Sequence, residues 1–364
     1  MFQKLKYKMT LNEKIEALHK LGEALRRNIY QPELEAIIRR SFHQNAWFTP
    51  ENQQKAVQAV ANDFLQRDLL TDWLQKYYDN FDASPAPVRT VALVVAGNIP
   101  LVGFHDVLCV FLSGNKAKIK ISEKDALLLP FLLQKLAEIA PETLPFFELN
   151  EGRLPPFDAV IATGSNNSAR YFESYFSKYP NIIRKNRNSV GILGGGENEA
   201  DFMALGDDVF SYFGLGCRNV SKIFVPREYD FIPMLEALHE FSPNMVIYER
   251  YKNNFDFQVT LLILNRVKYM QNGCLLLAES DKLSSSISVL HYEYYDSIKD
   301  LEEKIAAQAE AIQCVVASTS TLNNSKKMPQ LPADLSAFAF GKAQSPALSD
   351  YADGVDTMEF LKKI

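Results

Sequence analysis

Val91-Ala92-Leu93-Val94-Val95-Ala96, running into Gly97-Asn98-Ile99-Pro100, is a short unbroken apolar run closed by a turn, the pattern of a strand buried on both faces. A helical stretch follows Pro100, and Ala117-Lys118-Ile119-Lys120-Ile121 reads as a second strand. Ser122, with Asp125 three residues on, is placed to cap a helix running through 127–139. Asp158-Ala159-Val160-Ile161-Ala162 is a third strand, followed by a helix over 166–178. Strands separated by helices of this length predict a mainly parallel sheet covered on both faces, hence an α/β fold with a Rossmann-like nucleotide-binding core. Ligands of such sheets gather at the carboxyl ends of the strands, which brings Gly97-Asn98, Ser122-Glu123 and Thr163-Gly164-Ser165 to one edge.

Upstream, Ile15, Leu18, Leu21 and Leu25 recur at helical spacing, and Ser84-Pro85-Ala86-Pro87 punctuates the chain before the first strand. Downstream, Ser189-Val190-Gly191-Ile192-Leu193-Gly194-Gly195-Gly196 opens a second α/β unit. It continues with a helix over 199–213, a glycine-framed cysteine loop and the strand Ser221-Lys222-Ile223-Phe224-Val225-Pro226. Further strands are expected at 274–278, 287–294 and 312–317, a helix between Lys299 and Ala311, and a loop over 323–336. The expected organisation is a helical region (1–90), a nucleotide-binding domain (91–188), a smaller α/β domain bearing the cysteine (189–320), and a C-terminal loop and tail (321–364).

A chain of 364 residues that is 47% hydrophobic has enough apolar material for a large core. Its net charge of -5 argues against general nucleic-acid binding, which needs a basic surface to neutralise phosphates. The basic start, Met1 to Lys8, precedes a polar helical pattern and not an apolar signal core. The longest apolar stretch, 101–112, contains His105 and Asp106 and falls short of the roughly 20 residues of a membrane helix. A cytoplasmic protein without a membrane span is expected.

Cys217 stands in Phe213-Gly214-Leu215-Gly216-Cys217-Arg218-Asn219-Val220, at a helix-to-strand loop beside a cation, where a thiol is kept accessible and reactive. Cys109, Cys274 and Cys314 lie in apolar runs and read as packing. There is no CxxC, and no Cys/His spacing of a metal site; four scattered cysteines suggest a reducing compartment. GxxxxGK[ST], GxGxxG after a strand, GxSxG and HExxH are likewise missing from the sequence. Of five dispersed histidines, only His105 falls near the proposed edge.

The order of motifs resembles the aldehyde dehydrogenase superfamily: Gly97-Asn98-Ile99-Pro100, Gly114-Asn115 with Lys120-Ile121-Ser122-Glu123, Thr163-Gly164-Ser165, Leu193-Gly194-Gly195 and Gly216-Cys217. Within it the chain is most similar to the LuxC-type fatty acyl-CoA reductases, chiefly between Val94 and about Val225. Gln344-Ser345-Pro346 and the stretch from Asp350 to Asp356 look like the tail of short bacterial members.

The resemblance implies roles for particular residues. Cys217 takes the nucleophile's place and Asn98 that of the oxyanion-hole amide, the latter equally a residue suited to the turn before Pro100. Lys120 and Glu123 match the residues that hold the cofactor's ribose; Gly164 and Ser165 match the loop where pyrophosphate meets a helix N-terminus; Gly194 and Gly195 run beside the nicotinamide. As a solvated strand end and as structural turns these residues have bland readings too. The family's cofactor is NADPH, whose 2′-phosphate would find Lys118, Lys120 or Lys124; NADH is the alternative.

Hydrolytic aldehyde dehydrogenases carry a glutamate immediately before Leu-Gly-Gly, and this chain has Ile192 there, with Glu197 and Glu199 as nearby substitutes. The departure favours NADPH-dependent reduction of acyl-CoA over aldehyde oxidation to a free acid. Reduction of an acyl phosphate with Arg218 as its clamp, aldehyde oxidation, and a non-catalytic nucleotide-binding scaffold are the alternatives. The resemblance also implies a homo-oligomer, most simply a dimer, and an acyl-donating enzyme as partner.

Overall fold

Leu11, Ile15, Leu18, Leu21 and Leu25 line the buried face of α1 (Leu11–Arg26), whose first turn is closed by a reciprocal Thr10/Glu13 capping box. The computed structural model describes residues 9–83, 88–150, 152, 154–324 and 326–364. The basic start Met1 to Lys8 and the punctuation Ser84 to Pro87 lie outside the described residues. The chain forms two units, one running to Lys185 and regaining Pro346–Ile364, the other spanning Asn186–Ser345.

In the first unit α1 is followed by α2 (Gln31–Gln44), α3 (Pro50–Ala59) and α4 (Arg67–Leu74). The alternating segment then gives β1 (Thr90–Val94), α5 (Phe104–Leu112), β2 (Lys116–Lys120), α6 (Leu128–Ile139), β3 (Phe147–Asn150), β4 (Ala159–Thr163), α7 (Asn166–Phe176) and β5 (Asn181–Arg184). The described strands pair in the order β3-β2-β1-β4-β5, all parallel, with Val91 opposite both Ala117 and Ala159. The order reverses between β1 and β4, the point at which a parallel sheet opens a crevice at its carboxyl edge. α5 packs on β1 and β2 and is itself covered by α1. Phe172 and Phe176 of α7 pack with Ala92, Val160 and Ala162.

Ser122 does not start α6. Its hydroxyl accepts from Lys124 N and caps a separate 3₁₀ turn, Glu123–Asp125, and α6 begins at Leu128. The expected Ser122/Asp125 box fails because the Asp125 carboxyl turns inward, away from its own turn, to accept from Leu101 N at 2.8 Å.

The C-terminal segment returns to the first unit and is held by polar contacts. Trp73 Nε1 donates to Tyr351 Oη at 2.9 Å, Tyr77 Oη donates to Asp356 Oδ2 at 2.6 Å, and Arg184 forms a buried ion pair with Asp106 while donating to Thr357 Oγ1 at 3.0 Å.

The second unit contains β6 (Asn188–Ile192), α8 (Glu199–Phe210), β7 (Val220–Pro226), α9 (Ile232–His239), α10 (Ser242–Met245), α11 (Glu249–Leu264), β8 (Tyr269–Gln271), β9 (Leu276–Glu279), β10 (Val289–Tyr295), α12 (Ile298–Ala306), β11 (Ile312–Ala317), α13 (Thr319–Leu322) and β12 (Ala337–Ala339). α14 (Thr357–Lys363) belongs to the returning segment and packs on α5. The second sheet runs β12-β11-β6-β7-β10-β9-β8 among the described residues, parallel except where β8 meets β9. Val190, Ile192, Phe224, Ile312 and Val315 centre its core. Both sheets agree with the parallel α/β expectation.

Lys14 of α1 is the costliest member of the first core. It is 1% exposed, donates to Phe111 O at 2.8 Å and lies 5.1 and 4.6 Å from the centroids of the Phe111 and Phe146 rings. Burial lowers its pKa to about 7. Because the folded value lies below the unfolded one, this residue costs nothing where both states are neutral, and its full cost is reached as pH falls to about 7. Lys14→Met is expected to stabilise the protein on the order of 1–3 kcal/mol at pH 7, the lost cation–π contact offsetting part of the gain. Phe111 O keeps Gly114 N as a donor. Urea melts between pH 7 and 9.5 check this: the advantage of the variant should shrink as pH rises, and an advantage independent of pH would place the effect elsewhere.

Candidate active site

At the carboxyl edge of the first sheet, Gly97 and Asn98 follow β1, and Asn98 is exposed. Gly97 lies so close to the Ser122 turn that a side-chain carbon there would come 2.7 Å from Ser122 Cβ, which is why the position takes glycine. Val95 N donates to Lys120 O at 3.2 Å, so the exits of β1 and β2 are joined. Lys120 and Glu123 are both exposed there. After β4, Ser165 caps α7, its hydroxyl accepting from Ser168 N at 3.2 Å, with Gly164 just before it. The edge thus brings together Asn98, Lys120, Glu123, Gly164 and Ser165, all within one unit.

A groove of about 1140 Å³ opens beside this edge, lined by Val94, Lys120, Pro155, Pro156, Phe172 and Tyr175 among others. Apolar walls next to an exposed amine at a strand end suit an adenosine, the prolines and the Phe172 ring offering a surface for a flat base and Lys120 a polar group for a ribose. The groove therefore fits the adenosine part of a nucleotide. Of the three lysines weighed for a 2′-phosphate, Lys118 is otherwise engaged, donating to Pro156 O at 2.7 Å, whereas Lys120 and Lys124 are exposed.

His105 does not serve this edge. Its Nε2 lies 2.9 Å from Leu348 O, and its ring sits among Phe64, Trp73 and Tyr351 at centroid distances of 5.4, 5.8 and 5.6 Å. It is a packed residue that fastens the returning C-terminal segment.

In the second unit the cysteine loop is built on backbone bends. α8 ends at Phe210, and Tyr212, Phe213 and Gly214 take φ of 52°, 59° and 76° in succession. Such values are strained for the two aromatic residues, and side-chain hydrogen bonds pin the backbone on either side of them. Asn219 supplies these. Its Nδ2 donates to Asp208 O, Val209 O and Ser211 O at 2.9, 3.4 and 2.8 Å, and its Oδ1 accepts from Gly216 N at 2.8 Å. It thereby pairs carbonyls left open at the end of α8 and fixes the chain on the N-terminal side of Cys217. Ser189 Oγ donates to Cys217 O at 3.1 Å from the neighbouring strand.

Cys217 is half-buried, while Cys109, Cys274 and Cys314 are buried. Burial pushes the Cys274 thiol up to about 12 and that of Cys314 to about 11, and Cys109 rises well above the ordinary value for the same reason. Those three are poor nucleophiles at neutral pH. Arg218 lies over the Phe338 ring, 5.4 Å from its centroid, and donates to Ala343 O at 3.4 Å. Both contacts reach the β12 region.

Gly194 and Gly195 lie at the exit of β6. The Glu197 carboxylate accepts from both of their N–H groups, at 2.7 and 3.1 Å, and Gly195 has φ of +78°. Glu197 thus closes the glycine turn, and Glu199 is exposed in the first turn of α8. Ile192 is fully buried, paired with Phe224 on one side and Ala317 on the other.

The family model of acyl-CoA reductase (LuxC) matches residues 12–228, more than half of the chain. The chain belongs to the LuxC acyl-CoA reductase family. It is accordingly an oxidoreductase of acyl and aldehyde groups. The match takes in the helices before residue 90 as well as the segment from Val94 to Val225 that carries the motifs. No curated protein matches the chain. Solved aldehyde dehydrogenases share its fold. KauB from Pseudomonas aeruginosa is 15% identical with a TM-score of 0.67, covering 95% of this chain and 80% of that one. Aldehyde dehydrogenase 21 from Physcomitrella patens, in complex with succinate, is 12% identical with a TM-score of 0.70, covering 98% and 84%. A variant of AldC from Pseudomonas syringae, in complex with NAD+ and octanal, is 14% identical with a TM-score of 0.62, covering 85% and 73%. No helix of the described residues of this family member is long and apolar enough to cross a membrane.

Sequence reasoning missed Asn219, Ser189 and Asp208. Asp208 is fully buried, and its carboxylate accepts from Gly341 N and Ala343 N at 2.7 and 3.0 Å, drawing the chain after β12 onto α8. The spacing Gly216-Xaa-Xaa-Asn219 was the available signal, since an asparagine three residues after a glycine suits a side-chain-to-backbone turn.

Proposed function

We propose that this protein reduces acyl-CoA thioesters to aldehydes with NADPH, through an acyl thioester on Cys217. The observation that carries this reading is Ile192. An apolar, fully buried side chain stands where a water-activating carboxylate would be needed, and the nearest acid, Glu197, is occupied by the Gly194 and Gly195 amides. An acyl-enzyme at Cys217 is then protected from hydrolysis and persists long enough to be reduced.

The Cys217 thiolate forms a carbon–sulfur bond to the acyl carbonyl, and the bond to CoA breaks with departure of the CoA thiolate. The Cys217 backbone N–H receives the oxyanion, and the family resemblance gives Asn98 the part of an oxyanion-hole amide. NADPH, when bound, would supply the hydride. Cys217 leaves again as thiolate when aldehyde is released, so one thioester, one NADPH and one proton give one aldehyde, one CoA and one NADP+. Lys120 and Glu123 hold the adenosine ribose, and Lys120 with Lys124 favours the 2′-phosphate.

The test follows nicotinamide oxidation with acyl-CoAs of graded chain length, NADPH and NADH in parallel, while aldehyde and CoA are quantified. Equimolar aldehyde and CoA, with a higher kcat/KM for NADPH, is the expected result. Reduction of NADP+ by free aldehyde without CoA, and no oxidation with any thioester, would replace this reading by aldehyde oxidation.

A further inference from the structure

The 3₁₀ turn Glu123–Asp125 serves two parts of the nucleotide edge at once. Glu123 is exposed on it, whereas Asp125 is only 5% exposed. Asp125 Oδ2 accepts from Leu101 N at 2.8 Å; Oδ1 is buried and makes no hydrogen bond. Leu101 has φ of +58°, a costly conformation for a residue with a side chain, and it ends the loop that begins at Gly97 and bears Asn98. That loop is held at both ends by one turn: Gly97 against Ser122, Leu101 by Asp125. The turn is itself fastened, since Asn45 Nδ2 donates to Lys124 O at 3.2 Å and Lys124 N to Ser122 Oγ at 3.3 Å.

A carboxyl buried with one backbone donor is an expensive way to make one hydrogen bond. Burial raises its pKa to about 7, against the lowering effect of the Leu101 N–H. What the bond secures is the strained residue at the foot of the Asn98 loop.

We propose that Asp125 is a positioning residue for the reductase reaction, holding the Asn98 loop from the same turn that presents Glu123. The role rests on the reading of Asn98 as an oxyanion donor. Through Asp125, the loop that aims this amide and the turn that meets the cofactor ribose are set as one piece.

Asp125→Ala, Asp125→Asn, Asn98→Ala and the double variant Asp125→Ala/Asn98→Ala separate this from a merely structural role. Hydrogen–deuterium exchange over 97–103 should rise about tenfold or more in Asp125→Ala. Its kcat should fall roughly 10- to 100-fold with little change in KM for acyl-CoA. Asp125→Asn, which keeps an oxygen acceptor for Leu101 N, should restore the protection and most of the rate. On the Asn98→Ala background the loss of Asp125 should cost less than about twofold, because the group it positions is gone. Unchanged exchange in Asp125→Ala overturns the proposal, as do losses that multiply in the double variant. If Asp125→Ala does not fold, Asp125→Ser, whose hydroxyl is too short to reach Leu101 N, takes its place with the same expectations. If the wild type reduces no thioester, the functional reading fails, while the exchange comparison still decides whether Asp125 holds the loop.

Discussion

Cys217→Ser is expected to lower NADPH-linked reduction of acyl-CoA by on the order of 10⁴–10⁶-fold while leaving the fold and nucleotide binding intact. A hydroxyl is nearly isosteric with the thiol, so the Asn219 and Ser189 bonds that shape the loop survive. What disappears is the nucleophile: at neutral pH a serine without a base is almost wholly protonated, and its alkoxide would be a poor leaving group when aldehyde departs. The other cysteines cannot take over, because burial keeps their thiols protonated. Cys274→Ser serves as the comparison, since Cys274 is fully buried in the second unit's core. Limited iodoacetamide labelling with peptide mapping adds a readout independent of turnover, with Cys217 expected to react well before the others. Turnover that survives in Cys217→Ser would remove the acyl-enzyme mechanism. Even labelling across all four cysteines, together with no turnover, would favour the scaffold reading.

The parallel sheets were legible because β1, β4 and β11 are largely apolar runs and β2 alternates lysine with apolar residues, and β1, β2, β4, β7 and β11 fall within a residue or two of their expected positions. The edge strands were not. β3, Phe147-Glu148-Leu149-Asn150, is half-buried or exposed throughout, and β5, Asn181-Ile182-Ile183-Arg184, ends in a buried cation, so neither carries a clean apolar signal. Arg184 illustrates the difficulty. Its burial is explained only by Asp106, 78 positions away, and by Thr357 near the C-terminus, and no local pattern announces such a pairing. The same holds for Asp125, which reads as a helix-capping acid in sequence and in the fold reaches back 24 positions to Leu101.

The cysteine loop divides in the same way. Glycines and a cation mark Cys217, but the residue that shapes its surroundings is a buried asparagine whose partners are backbone atoms, and backbone atoms carry no sequence signature. Ile192 was legible as a departure because the Leu193-Gly194-Gly195 motif fixes its place; the hold of Glu197 on two glycine amides was not legible there.

Asn219→Ala is expected to have the largest effect of any substitution outside the chemistry. The side chain is 2% exposed and serves four backbone groups, accepting from Gly216 N and donating to the carbonyls of Asp208, Val209 and Ser211. Truncation leaves these groups without that partner in a place where water enters poorly, at about 1–3 kcal/mol for each group left unsatisfied. It also loosens the backbone on either side of the left-handed residues Tyr212 and Phe213. A total on the order of 3–6 kcal/mol corresponds to a fall in Tm of roughly 6–24 °C for a unit of this size. Because the affected backbone leads directly into Cys217, rapid alkylation of that thiol should be lost well below the unfolding temperature. Asn219→Asp discriminates between packing and hydrogen bonding, since it keeps the volume and the acceptor for Gly216 N but turns an anionic oxygen toward three carbonyls. Its folded pKa must then lie above the unfolded carboxylate value, so the cost is full at neutral pH and is relieved as pH falls through the folded pKa and the acid becomes a donor. Thermal melts of both variants between pH 5 and 8 supply the measurement. An Asn219→Ala protein that melts within about 2 °C of wild type and alkylates as fast would show that the loop is held by its packing alone.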